Sequence, residues 1–359
     1  MTVEIDRRAM EELSNGGRIL VTRLQYLGDV ILTLPSVRAI KDRFPSAGVD
    51  YLSRSVGAAV LEGEPAFDRV FRVPEKGEGD LAFWRLVSSL RKRKYTAAVD
   101  WYSNTRSALL TWLSGARNRI GGARRVRKHL YTWPVVTPPG VRSAIDHHMY
   151  YLKPLGIHGS ATRPVLTPSP GERERARQRL ADCGVKWGPT GHVGIHPGGK
   201  WEVKRWPVER FAALGRRLAE RHGIRVVVIA GPGEESYREA LRQELGDRAV
   251  YLPVLPIRET VAVIASLDGM VVNDGGIMHA SVAVGTPTIG LFGSSEPDIW
   301  FPYESFGPFV PAYEPIECRP CHRHTCDHLS CLVRLTPEAI ETKLIEAMKT
   351  AANERTAGR

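Results

Sequence analysis

Residues 269–297, GMVVNDGGIMHASVAVGTPTIGLFGSSEP, decide the fold. Gly269 to Val272 is an apolar run that reads as a buried strand. It ends in the turn Asn273-Asp274-Gly275-Gly276. Ile277 to Val284 then carries the small and apolar spacing of a helix packed on a sheet. Thr288 to Phe292 is a second apolar strand, closed by Gly293. Strand, Gly turn, helix and strand make a βαβ unit. Its turn lies at the carboxyl end of a strand, where open parallel sheets bind ligands. The glycines let backbone N–H groups approach a ligand, and the following helix N-terminus favours an anion, typically phosphate. Asp274 either caps that helix or faces the ligand. His279, one helical turn further in, either reaches the mouth of the turn or packs.

The same punctuation recurs on both sides. Arg18 to Thr22 is a short apolar strand that runs through Arg23-Leu-Gln-Tyr-Leu-Gly28-Asp29 into helical spacing at Val30, Leu34, Val37, Ile40 and Phe44, stopped by Pro45. Gly28-Asp29 therefore sits where a first strand hands over to a first helix, and Asp29 is a helix cap or a site residue. Val49–Leu52, Val70–Val73 and Ala97–Asp100 read as strands, with a helix over Leu81–Arg91. Further on, His192 to Gly199 reads as strand into Gly turn. Lys204 and Arg205 precede Pro207, which starts a helix over Val208–Arg221; the pair is a phosphate clamp or an exposed basic pair. Arg225 to Ala230 is a strand ending in Gly231-Pro-Gly-Glu234-Glu235. An acid there accepts from ribose hydroxyls, or simply favours the first turn of a helix. Glu259 to Leu267 is helical. Three Gly-rich turns on successive parallel strands converge on one crevice, and the alternation of β and α predicts doubly wound sheets.

At 359 residues the chain fits two α/β domains. Pro164, Pro168, Pro170 and Gly171 mark the boundary. The expected division is an N-terminal extension over 1–17, a first domain over 18–168 and a second over 169–359. Hydrophobic residues at 43% and charged residues at 25% are those of an ordinary globular chain. A formal charge of +11 favours an anionic partner. The opening MTVEIDRRAMEELSNGG has acids and no apolar core, so no secretory signal is expected. No apolar run approaches the roughly 20 residues of a membrane span, and no repeat of solenoid period is present. The expected location is the cytoplasm. Residues 117–128, RNRIGGARRVRK, hold six basic side chains and no acid. They form a solvated basic face or a docking surface for an anionic acceptor. No recognition helix or stacking motif accompanies them, so nucleic acid is not expected as a partner. The pair His147-His148 is left open between surface and pocket.

Cys183 stands alone, whereas Cys318, Cys321, Cys326 and Cys331 follow the spacing C-x2-C-x4-C-x4-C with His322, His324 and His328 among them. In an intracellular chain such a cluster points to metal more than to disulfide. The spacing matches neither paired zinc knuckles nor the ferredoxin run. A structural metal, reduced thiols and a local disulfide stay open, and no catalysis is expected there. Thr336-Pro337-Glu338 starts a last helix, with fraying expected after Ala351.

Four segments together resemble the bacterial ADP-heptose:lipopolysaccharide heptosyltransferases, glycosyltransferase family 9. They are RILVTRLQYLGDVILTLPSVRAI, HPGGKWEVKRWP, VIAGPGEE and VVNDGGIMHASVAVGTPTIGLFGSSEP. RIGGARRVRKHLYTWPV and the cysteine-containing tail also resemble members, so the resemblance spans about residues 18–345. It implies the GT-B architecture, two Rossmann-like doubly wound domains facing a central cleft. It also implies metal-independent, inverting transfer of heptose from ADP-heptose, a substrate rather than a cofactor, to an anionic lipopolysaccharide core acceptor at the inner membrane surface. Carried over by position, Asp29 is the expected base. Lys204, with Arg205 beside it, contacts donor phosphate, and Glu235, or with less support Glu234, takes the ADP ribose. Asp274 lies near the donor sugar, and Gly275, Gly276, Ile277, Met278 and His279 supply the phosphate loop. The acceptor is expected at Gly28, Arg124 and Arg125. The sequence departs at Gly275, where the family often has Thr or Ser, so a hydroxyl for phosphate is missing and the donor's identity is less constrained. The competing expectations are another nucleotide-sugar with another surface glycan, and a non-catalytic anion-binding relative.

Overall fold

Short runs of Val, Ile, Leu and Ala, each bounded by Gly, Pro, Asp or Ser, form twelve strands in the computed structural model, which describes residues 4–160, 162–187 and 191–357. The chain divides into two units, Met1–Pro164 and Val165–Arg359.

The first unit holds β1 (Arg18–Thr22), β2 (Gly48–Ser53), β3 (Arg69–Arg72), β4 (Ala97–Asp100), β5 (Asn118–Gly122) and β6 (Trp133–Val135). All pairings are parallel, in the order β3-β2-β1-β4-β5-β6. β1, β2 and β4 are buried nearly throughout, as expected of strands covered by helices on both faces. Residues Arg7–Ser14 form a helix of this unit, capped by the Asp6 side chain on the Ala9 N–H, with Leu13 fully buried. The helix expected over Val30–Phe44 is two helices, Leu27–Ile31 and Leu34–Arg43. Pro35 has no N–H to return to the Ile31 carbonyl, so the ladder cannot run through. The Thr33 hydroxyl takes up the break by donating to Val30 O at 2.7 Å.

The second unit repeats the plan with β7 (His192–His196), β8 (Arg225–Val228), β9 (Ala249–Tyr251), β10 (Gly269–Asn273), β11 (Thr288–Leu291) and β12 (Phe309–Ala312). The order is β12-β11-β10-β7-β8-β9, again all parallel. Read from the other edge it is the strand order of the first unit, the doubly wound Rossmann order. Its core joins Val193, Ile195, Val226, Val271 and Ile289 of the sheet to Phe211 and Leu218 of the helix Val208–His222. Ile340 and Leu344 of the last helix close the same core. That last helix runs from Pro337 to Ala357 rather than fraying after Ala351; no Gly or Pro lies between Pro337 and Ala357 to stop it. No helix among the described residues is long and apolar enough to cross a membrane.

In both sheets the strand order reverses once, between β1 and β4 and between β7 and β10. Chain leaving the carboxyl ends of two such neighbours departs to opposite sides and opens a crevice.

Candidate functional site

In the second unit the crevice between β7 and β10 is lined by the turns after both strands. Asn273, the last residue of β10, ties them together. Its Nδ2 donates to Pro197 O and Gly198 O, each at 2.9 Å, and its Oδ1 accepts from the Trp206 N–H at 2.9 Å. Trp206 is itself a buried anchor whose Nε1 donates to Leu335 O. The residues just before it, Lys204 and Arg205, are thereby fixed at the crevice. Lys204 Nζ donates to Asp274 Oδ2 at 2.5 Å, and the Ser295 hydroxyl donates to the same oxygen. Asp274 is buried and Lys204 keeps partial exposure. An ammonium has three donors, so Lys204 retains N–H groups for an anion. Asp274 thus secures a lysine rather than capping the helix that follows.

Gly275 and Gly276 open the helix Gly276–Val284, with Gly275 extended. The first N–H groups of this helix have no partner within it. Ile277 is partly buried, and the Met278 side chain is fully buried in the core. His279 is buried too, its Nδ1 2.8 Å from the Tyr303 hydroxyl. Of the two outcomes left open for His279, packing is the observed one. From Met278 and His279 only backbone can face a ligand.

Arg205 donates from Nε to Gly199 O at 2.7 Å and from Nη1 to the Tyr237 hydroxyl at 2.5 Å. The two acids after β8 differ sharply. Glu234 accepts from the Gly199 N–H and the Gly231 N–H, each at 2.7 Å, and lies 3.1 Å from His196 Nε2. Burial pushes its carboxyl up, but the hydrogen bonds from His196 and the two backbone N–H groups outweigh that and hold it at about 2. Gly198 is required there, since a Cβ would come within 2.1 Å of the Glu234 carboxyl carbon. Glu235 is exposed, the first residue of the helix Glu235–Leu245.

The Ser294-Ser295 turn after β11 is held from the cysteine segment. Arg319 donates from Nε to Gly293 O at 2.7 Å and from Nη2 to Ser295 O at 2.9 Å. The N–H groups of Cys321 and His322 both reach Ser294 O. His324 stacks on Trp201, ring centroids 4.2 Å apart, three residues before Lys204. All five cysteines are free thiols, and burial pushes the Cys331 thiol up. Among the described residues no group of three or more His, Cys, Asp or Glu side chains is placed to hold a metal ion.

In the first unit the crevice between β1 and β4 holds Asp29, in the first turn of Leu27–Ile31 after the buried Gly28. Its Oδ2 accepts from the Tyr26 N–H at 2.9 Å and its Oδ1 from Arg23. Asp29 is thus a helix cap and an ion-pair partner while keeping some exposure. Arg23 also donates to Trp101 O, at the end of β4, and lies 4.9 Å over the Tyr102 ring. His147 and His148 fall on the helix Ala144–Tyr150. His148 is buried, and desolvation drives its ring well below the usual histidine range. His147 is lowered by burial and then by the charges of Arg23 and Arg124. Arg124 is exposed; the Arg125 side chain lies outside the described residues.

Asn273, Ser295, His196, Arg319 and Arg23 were not singled out in the sequence. Arg23 had a signal, since it directly follows β1, and so had Ser295, in the turn that Gly293 opens after β11. Asn273 was read only as part of a turn, and Arg319 only as a residue between cysteines.

A family model described as glycosyltransferase family 9 (heptosyltransferase) matches residues 83–330. The lipopolysaccharide heptosyltransferase 3 of Escherichia coli is 24% identical over 295 residues, covering 79% of this chain and 85% of that protein. The lipooligosaccharide heptosyltransferase 2 of Haemophilus influenzae is 25% identical over 349 residues, 92% of this chain and 99% of that protein. The solved structure of the E. coli ADP-heptose lipopolysaccharide heptosyltransferase II superimposes with a TM-score of 0.79 at 20% identity, over 93% of this chain and 99% of that one. The fold is therefore that of the GT-B heptosyltransferases.

Proposed function

Because the chain belongs to glycosyltransferase family 9 and is a glycosyltransferase, we propose that it moves a heptose from ADP-heptose to an anionic lipopolysaccharide core acceptor. Transfer inverts the anomeric carbon and uses no metal. The acceptor is a glycolipid, so the protein works at the inner face of the membrane. The names of its relatives, lipopolysaccharide and lipooligosaccharide heptosyltransferases, support the sugar and the acceptor class.

The acceptor hydroxyl must shed its proton as it attacks. Asp29 is the carboxylate for that step, with Gly28, Arg124 and Arg125 about the acceptor. The departing ADP gathers negative charge. Lys204, Arg205 and the N–H groups of the first turn of the helix that opens at Gly275-Gly276, in the Gly275–His279 loop, stabilise it, the work a cation would otherwise do. Glu235, more open to a ligand than the engaged Glu234, takes the ribose. The observation that carries this reading is Lys204, gripped by Asp274, which Ser295 holds in turn, beside a helix N-terminus at the switch point of the second sheet. The test is incubation with ADP-heptose and a lipid A–Kdo acceptor, followed by mass spectrometry. One added heptose per acceptor is expected. Consumption of a different nucleotide-sugar, with ADP-heptose left intact, would overturn the donor.

A further inference from the structure

The outer face of the helix Gly79–Lys92 is apolar and basic at once. At about 100° per residue, Leu81, Trp84, Arg85, Ser88, Arg91 and Lys92 fall within a stripe of roughly 120°. The opposite side of the helix buries Leu86, Val87 and Leu90 in the core of the first unit. The outer stripe leaves Leu81 64% and Trp84 57% exposed. The neighbouring helix Thr105–Leu113 continues it, with Leu109 39% and Trp112 50% exposed one turn apart. An open depression between the two helices is lined by Trp84, Val87, Arg91, Lys92 and Leu113. Across both helices Asp80 is the lone acid. Glu78, which precedes them, is engaged by Arg72.

We propose that this face docks on an anionic phospholipid surface. Trp84 and Trp112 enter the headgroup layer, and Arg85, Arg91 and Lys92 meet lipid phosphates. Large exposed apolar side chains gathered in one patch mark a binding surface. Tryptophan prefers the membrane interface, and long basic side chains reach phosphates from beside an apolar floor. The charge decides between a bilayer and a second copy of the chain. A two-fold dimer would set this patch against itself, with three bases per copy and one acid to answer them; a lipid surface supplies the missing anions. The proposal deepens the reading of a membrane-borne acceptor and rests on it for its biological sense, while its evidence is the face itself.

The test uses the full chain and vesicles that contain no glycolipid. Wild type is expected to float with phosphatidylethanolamine–phosphatidylglycerol vesicles and to stay behind with pure phosphatidylcholine. The double substitution Trp84→Ser/Trp112→Ser is expected to lower the partition coefficient more than about tenfold. Arg91→Glu/Lys92→Glu is expected to lower it by roughly fivefold or more per residue on the anionic vesicles. Circular dichroism and transfer to a water-soluble acceptor fragment, run on the same variants, are expected to match wild type. Those controls separate the face from the transfer reading, because loss of one leaves the other measurable. Wild type failing to float with anionic vesicles overturns the proposal, as does equal partitioning of the tryptophan variant. So does a sedimentation experiment in which wild type is a dimer that the tryptophan variant splits.

Discussion

Lys204 and Asp274 stand 70 residues apart in sequence and meet at one oxygen, so each can be tested through the other. Lys204→Ala is expected to weaken ADP binding by roughly 10- to 100-fold, the worth of a charge-assisted hydrogen bond. It also strands a buried carboxylate with Ser295, costing about 1–3 kcal/mol of stability. Calorimetric affinity equal to wild type would remove Lys204 from the donor site. Gly275 offers the converse. A Cβ there meets only Asn273 O, at 3.8 Å, so Gly275→Thr has room and returns a hydroxyl beside the helix start. The same titration should show severalfold tighter ADP binding, about 1 kcal/mol; weaker binding would mean the space serves something else. Asp29→Asn keeps an acceptor for the Tyr26 N–H but takes no proton. Turnover should fall by about 100-fold or more with ADP affinity unchanged, and an active variant would exclude Asp29 as the base. Asp274 was legible because it directly follows β10 at the Gly275-Gly276 turn, whereas Asp29 and Lys204 lie seven and eight residues past β1 and β7 and were picked out by Gly28 and by the family resemblance. Arg23 directly follows β1 with no glycine beside it, and Ser295 lies two residues past Gly293. Arg319 was illegible, because its grip on Gly293 and Ser295 depends on how a loop with no periodicity folds back.

Among elements, Glu234 acts as a rivet. One carboxylate joins the turn after β7, through Gly199, to the turn after β8, through Gly231. Its folded-state value of about 2 lies below the ordinary 4.5. The stability it contributes is therefore present above pH 4.5 and lost as pH falls toward 2. Urea unfolding of Glu234→Gln should show a deficit of about 2 kcal/mol near pH 7 that shrinks through that window. A deficit independent of pH would mean the carboxylate's charge is irrelevant. Eight of the twelve strands were readable from short apolar runs between turn formers, as were the helices near 81–91, 208–221 and 259–267; β5, inside the basic stretch 117–128, and the three-residue β9 were not. The break at Leu32-Thr33 was missed because the apolar spacing continues straight through it. Only the missing N–H of Pro35 interrupts the ladder, and a hydrophobic pattern does not register a donor. β6 and β12 escaped for a related reason: each is a short edge strand containing a proline, which such positions tolerate.

At the scale of the molecule the two units have separate cores. ADP bound to groups of the second unit stabilises that unit by RT ln(1 + [L]/Kd), about 2.7 kcal/mol at a hundredfold excess over Kd. Scanning calorimetry with ADP should therefore move one transition and leave another in place; a shift of both together would assign nucleotide contacts to the first unit as well. The alternation of strand and helix made two doubly wound sheets legible, while the chain divides after Pro164 rather than at the boundary of 168 read from the prolines. The shared strand order has a consequence during synthesis. Each sheet is begun at an interior strand, grows to one edge, returns, and is finished at the other edge. The first is complete once β6 has left the ribosome, before β7 is made. A nascent chain of that length already carries a sheet with every neighbour in place, so translation delivers the second half to a first half that has no strand left to wait for.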